Sequence, residues 1–92
     1  MSVKRINEFT ARDGMENELY DFLQNLVPFI KQSEGNIECT VLRSKEDKTR
    51  IVVLEEWENE SFHKKSVENY PPDKMREAMM LIGAPPSGEY FE

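Results

Sequence analysis

Ile51, Val52, Val53, Leu54, Glu55, Glu56 and Trp57 form a β-favouring run whose first four residues offer water no polar side. A strand of this composition has to be covered on both faces. The chain has 92 residues, and a chain this short builds one domain, residues 1–92, with a single core. Covering both faces of a central strand strains that supply. The run ends in the only Trp, Trp57, and leads to the only His, His63.

Working outward, Ile37 to Arg43 alternate as a strand, with Ile37, Cys39 and Val41 on one face and Glu38, Thr40 and Leu42 on the other. The polar stretch Ser44 to Thr49 is short enough to make this strand and the next, Arg50 to Trp57, an antiparallel hairpin. Arg43 and Glu55 are then expected to form a cross-strand ion pair. Residues 2–10 read as another strand, with Val3, Arg5, Asn7 and Phe9 on one side and Lys4, Ile6 and Glu8 on the other. Between these strands, Met15, Leu19, Phe22, Leu23, Leu26 and Ile30 recur at helical intervals, behind a capping-box spacing of Asp13 and Glu16. Pro28 is expected to kink or loosen the last turn of this helix, and Gly35 and Asn36 to end the segment.

Downstream, Asn59 can cap a short helix that places Phe62, His63, Ser66, Val67 and Tyr70 on one face, before Pro71 and Pro72 break it. Met75, Ala78, Met79 and Ile82 mark a third helix, which Gly83 should close, with Pro85 and Pro86 beyond. The cluster Met75, Met79 and Met80 is expected in the core. Glu89 to Glu92 suit a final edge strand. The order β-α-β-β-α-(α)-β is the α+β, ferredoxin-like split βαβ arrangement, a four-stranded antiparallel sheet with its helices on one face. Those helices cover one side of Ile51 to Leu54. Nothing else in the chain covers the other side, so a homodimer joined through the sheet face is expected.

Composition narrows the function classes. The chain is 38% hydrophobic and 33% charged, with no apolar run long enough to cross a bilayer. Met1 to Arg5 show no signal-peptide character, so a cytoplasmic location is expected. A net charge of −6 without any Lys/Arg stripe argues against nucleic acid as a partner. One His, one Cys and scattered carboxylates give no metal-ligand spacing. Cys39, at an alternating strand position, reads as a structural thiol.

Within this frame, Leu26-Val27-Pro28, Glu34-Gly35-Asn36 and Glu55-Glu56-Trp57 occur in an order and spacing that resembles the antibiotic biosynthesis monooxygenase family, from Val3 to Phe91. The resemblance implies a dimeric α/β barrel with a pocket in each subunit between sheet and helices. It also implies oxygenation of phenol- or quinol-type aromatic molecules without a cofactor. Carried over residue by residue, Asn7 matches a polar Asn that faces the pocket, and Trp57 matches the aromatic at the end of the third strand. The family's helix His commonly lies nine residues past that aromatic, where this chain has Ser66. His63 is six past, so either a three-residue deletion brings it into place or the catalytic His is missing. The haem-degrading branch needs a Trp in the second helix and a later His. Ser66 and its neighbours supply no such Trp, and no His follows His63.

The chemistry asks for a base, an oxyanion donor and a water-poor pocket. His63 has the right type for the base, Asn7 for the donor, Trp57 for stacking on the substrate and Tyr70 for a phenol in the pocket. Each also has a plainer reading as a packed or hydrogen-bonded structural residue. The function classes are therefore a cofactor-free monooxygenase or a related isomerase on one side, and a non-catalytic dimeric module that binds an aromatic metabolite on the other.

Overall fold

The computed structural model describes residues 2–92. The elements run β1 (Val3–Ala11), α1 (Glu16–Gln32), β2 (Asn36–Arg43), β3 (Arg50–Trp57), α2 (Glu60–Glu68), α3 (Pro72–Leu81) and β4 (Ile82–Phe91). The strands form one antiparallel four-stranded sheet in the order β2-β3-β1-β4, the α+β ferredoxin-like arrangement. The apolar run of β3 therefore lies inside the sheet. Its side chains alternate: Ile51, Val53, Glu55 and Trp57 are buried beneath the helices, while Val52, Leu54 and Glu56 are only partly covered on the opposite face.

Helix α1 supplies most of the cover, with Leu19, Leu23 and Ile30 buried against Val41, Ile51, Val53 and Trp57. The capping box does not form. Met15 is the N-cap and no side chain caps the helix, because Asp13 precedes Gly14, whose φ of 80° turns the chain before the helix begins. Pro28 sits within α1, which continues for four more residues to Gln32. Gly35, at φ 83°, then turns the chain into β2, and a Cβ there would collide with the Phe62 ring of α2.

Three further expectations are corrected. Ile37 does not join Cys39 and Val41 in the core. It is the extra residue of a bulge between Asn36 and Glu38, and it is 52% exposed. Gly83 does not close α3. The helix ends at Leu81, and β4 begins at once at Ile82 and runs through Gly83, Pro85 and Pro86. Two prolines are tolerated there because β4 is an edge strand paired only with β1, and the pairing shifts register across that stretch. The methionines of α3 are not core either. Only Ala78 of this helix is buried, and Met75, Met79 and Met80 are exposed.

Cys39 is buried, and burial, reinforced by the Glu55 charge, pushes its thiol up to about 12. A thiol so reluctant to ionise is packing rather than a nucleophile. Among the described residues, no helix is long and apolar enough to cross a membrane.

Candidate functional site

Strand register builds the floor of the site. Cys39, Glu55, Arg5 and Tyr90 are neighbours across β2, β3, β1 and β4 on the helix-facing side of the sheet. Asn7 and Gly88 form the adjacent pair. Above them lies a cavity of about 330 Å³ between the sheet and the three helices. Its walls are mainly apolar, with Phe22, Leu26 and Phe29 from α1, Met75 and Ala78 from α3, and Trp57 at the end of β3. Polar groups enter from Arg5, Asn7, Glu55, His63, Ser66 and Tyr70.

All four residues singled out in the sequence line this cavity. His63 is carried there by α2, which starts where Asn59 accepts a hydrogen bond from the Phe62 N–H. His63 is 8% exposed, and its imidazole packs edge-on against both Trp57 and Tyr90. Its Nδ1 lies 2.6 Å from the Tyr90 hydroxyl and its Nε2 4.0 Å from Glu55 Oε1. Tyr70, just past α2, packs edge-on against Phe29 at 5.3 Å while it lines the cavity. Ser66, nine residues past Trp57, is buried and shares a 2.9 Å hydrogen bond with Ser33.

Glu55 is the centre of the polar network. The expected ion pair with Arg43 is absent, because the hairpin register sets Cys39 beside Glu55 and Ile51 beside Arg43. Arg43 instead donates to Asn17 Oδ1 and lies over the Tyr20 ring. The Glu55 carboxylate points into the interior, where Trp57 Nε1–H donates to Oε1 at 2.8 Å and Asn7 Nδ2 donates to Oε2 at 3.0 Å. Arg5 Nε–H in turn donates to Asn7 Oδ1 at 3.0 Å.

Burial dominates the electrostatics. It raises the Glu55 carboxyl above its ordinary value, against the lowering effects of the Trp57 hydrogen bond, the Arg5 charge and the Asn7 hydrogen bond. It lowers His63 to about 4, with the positive charges of Arg5 and Lys64 adding to the effect. An ionised Glu55 at 4.0 Å acts in the opposite sense on His63. Burial therefore favours the uncharged form of the imidazole.

Glu55, Arg5 and Tyr90 were not marked as site residues in the sequence. Glu55 carried a usable signal, since it shares the parity of Ile51, Val53 and Trp57 and so had to point inward. Arg5 likewise shares the parity of Asn7. Tyr90 carried none, because its face depends on the irregular register of β4.

The family model for antibiotic biosynthesis monooxygenase matches residues 2–78. The chain belongs to the antibiotic biosynthesis monooxygenase family. No curated protein matches it in sequence. Among solved structures it is similar to SnoaB, a cofactor-independent oxygenase from Streptomyces nogalater, at 17% identity and a TM-score of 0.83, over 99% of this chain and 91% of that one. A conserved protein from Methanosarcina mazei superposes with a TM-score of 0.88 at 13% identity, over 100% and 92% of the two chains. A protein of unknown function from Nitrosomonas europaea gives 0.85 at 21% identity, over 99% and 87%. These likenesses establish a shared fold.

The shifts above give a stability signature. The folded value of His63 lies below its ordinary value of 6.5, so acid charges the unfolded chain first. The contribution of His63 is complete above 6.5 and is lost as pH falls towards about 4. Glu55, raised above its ordinary value, acts in the opposite direction: its contribution is complete below 4.5 and is lost as pH rises through its folded value. Thermal melts across this window should show His63→Gln losing less stability on acidification than wild type. Parallel pH profiles for the two proteins would contradict the buried neutral imidazole.

Proposed function

We propose that this protein is a cofactor-independent monooxygenase acting on a phenol- or quinol-type aromatic molecule held in the cavity between sheet and helices. The observation that carries this reading is a buried His63 at the wall of an apolar cavity, tied through Nδ1 to Tyr90 and facing Glu55 through Nε2. With the Nδ1 proton on the Tyr90 oxygen, Nε2 is the accepting atom and takes the substrate hydroxyl proton. Glu55 then faces a newly charged imidazolium and stabilises it. The electron-rich anion left in the cavity reduces dioxygen. One oxygen atom converts a ring C–H to C=O, and the other leaves as water with the two hydrogens lost by the substrate.

Asn7 serves this scheme as the polar group that fixes Glu55, and the second N–H of its amide is the donor for the substrate oxyanion. Trp57 and Tyr70 supply aromatic walls. The same engagement of the Asn7 amide by Glu55 favours a second reading, a non-catalytic module that binds an aromatic metabolite, because it commits one Asn7 N–H to the protein's own network rather than to a ligand. Oxygen uptake with a panel of quinols and phenols separates the two. The monooxygenase reading expects turnover that falls by about 100-fold or more in His63→Ala, in line with loss of a general base. An unchanged rate in that variant would remove His63 from the chemistry, and binding without any uptake would favour the module.

We also propose that two copies stack through the open sheet face to form a dimeric α/β barrel. Ile6 pairs with Leu54 and Val52 with Leu42 across neighbouring strands on that face, with Phe91 nearby. Leu42 and Phe91 are 48% and 42% exposed in the single chain. A contiguous apolar band of this kind is ordinarily covered by a partner. Sedimentation equilibrium should give the mass of two chains, and Leu54→Lys should shift it towards one. A wild-type mass of one chain would refute the barrel.

A further inference from the structure

Arg5 is the one permanent cation among the described residues lining the cavity, and the scheme above gives it no role. Its guanidinium is held from three directions. Nε–H donates to Asn7 Oδ1 at 3.0 Å, the plane lies over the Tyr90 ring at 4.7 Å, and the neighbouring backbone of Gly88 leaves the space it occupies. A Cβ at Gly88 would overlap both the guanidinium and Asn7 Oδ1. Among the described residues, the two terminal nitrogens have no hydrogen-bond partner.

The carboxylate nearest to hand does not satisfy them. Glu55 directs its two oxygens at Trp57 and Asn7, although it is the direct neighbour of Arg5 across the sheet. A guanidinium whose Nε is already fixed and whose terminal edge is free presents a planar fork of donors that matches a carboxylate, and its immobilisation lowers the ordering cost of binding one. A cavity of about 330 Å³ with mostly apolar walls takes a compact aromatic body beside that anion.

We propose that Arg5 is a specificity-determining residue and that the ligand of this cavity is a small aromatic carboxylate, its acid group seated on the Arg5 terminal nitrogens. Gly88 is the positioning residue that lets the guanidinium lie there. This rests on the reading that the cavity holds a small aromatic molecule, but it is independent of whether turnover follows.

The test compares 4-hydroxybenzoate with its uncharged isostere 4-hydroxybenzamide, titrated into the full chain by calorimetry at neutral pH. The expected result is at least tenfold tighter binding of the benzoate. Arg5→Gln should bring the two affinities together, Arg5→Lys should retain part of the preference, and Gly88→Ala should reduce it by displacing the fork. Equal affinities in wild type, or a preference that survives Arg5→Gln, would overturn the carboxylate assignment alone. Binding of neither probe would overturn the aromatic-ligand reading together with it. The wild-type comparison decides even where a variant fails to fold.

Discussion

The buried carboxylate of Glu55 is the constraint around which the site is organised. Taking an ionised carboxylate out of water is costly, and it is tolerated only where hydrogen bonds replace its hydration. Trp57 and Asn7 provide these, one to each oxygen. Each such charge-assisted bond contributes about 1.5–3 kcal/mol, and an orphaned partner costs a comparable amount. The network thereby fixes the indole, the Asn7 amide and, through Asn7, the Arg5 guanidinium. Tyr90 and His63 complete the ring from the opposite edge of the sheet and from α2. Polar groups held by one another in this way keep their orientation inside an otherwise apolar cavity.

The two faces of the sheet divide the labour. On the helix side, alternation along β1 and β3 delivers Arg5, Asn7, Glu55 and Trp57 to the cavity while Ile51 and Val53 hold α1 in place. On the other side the same strands present Ile6, Val52 and Leu54, which build no chemistry. A one-residue register slip would exchange these sets and destroy both, which is why the alternating pattern specifies the fold so firmly. The low position of His63 follows from the same enclosure. Walls that exclude water from the cavity also disfavour charge on the imidazole.

Much of this architecture was legible in the residues. The parity of Val3 to Phe9, the stripe from Leu19 to Ile30 and the cap at Asn59 are local patterns with direct geometric meaning, and they led to the correct strands and helices. The misread features depend on non-local geometry. Ile37 left the core because of a bulge, and Gly83 and the two prolines entered β4 because an edge strand can accept them. Arg43 and Glu55 share no rung because the hairpin loop sets a different register. His63 was identifiable by type. Its partners Glu55 and Tyr90 arrive from strands whose alignment the sequence does not encode locally.

The chain contains one Trp and one His, so magnetic resonance observes the centre of the network without ambiguity. The most direct measurement is hydrogen exchange and chemical shift of the single indole N–H, compared between wild type and Glu55→Ala. A Trp57 donor bound to a buried carboxylate predicts a strongly downfield, slowly exchanging resonance that moves upfield and exchanges faster once Glu55 is removed. An indole proton that exchanges at the rate of free tryptophan, or that is unaffected by the substitution, would contradict the account.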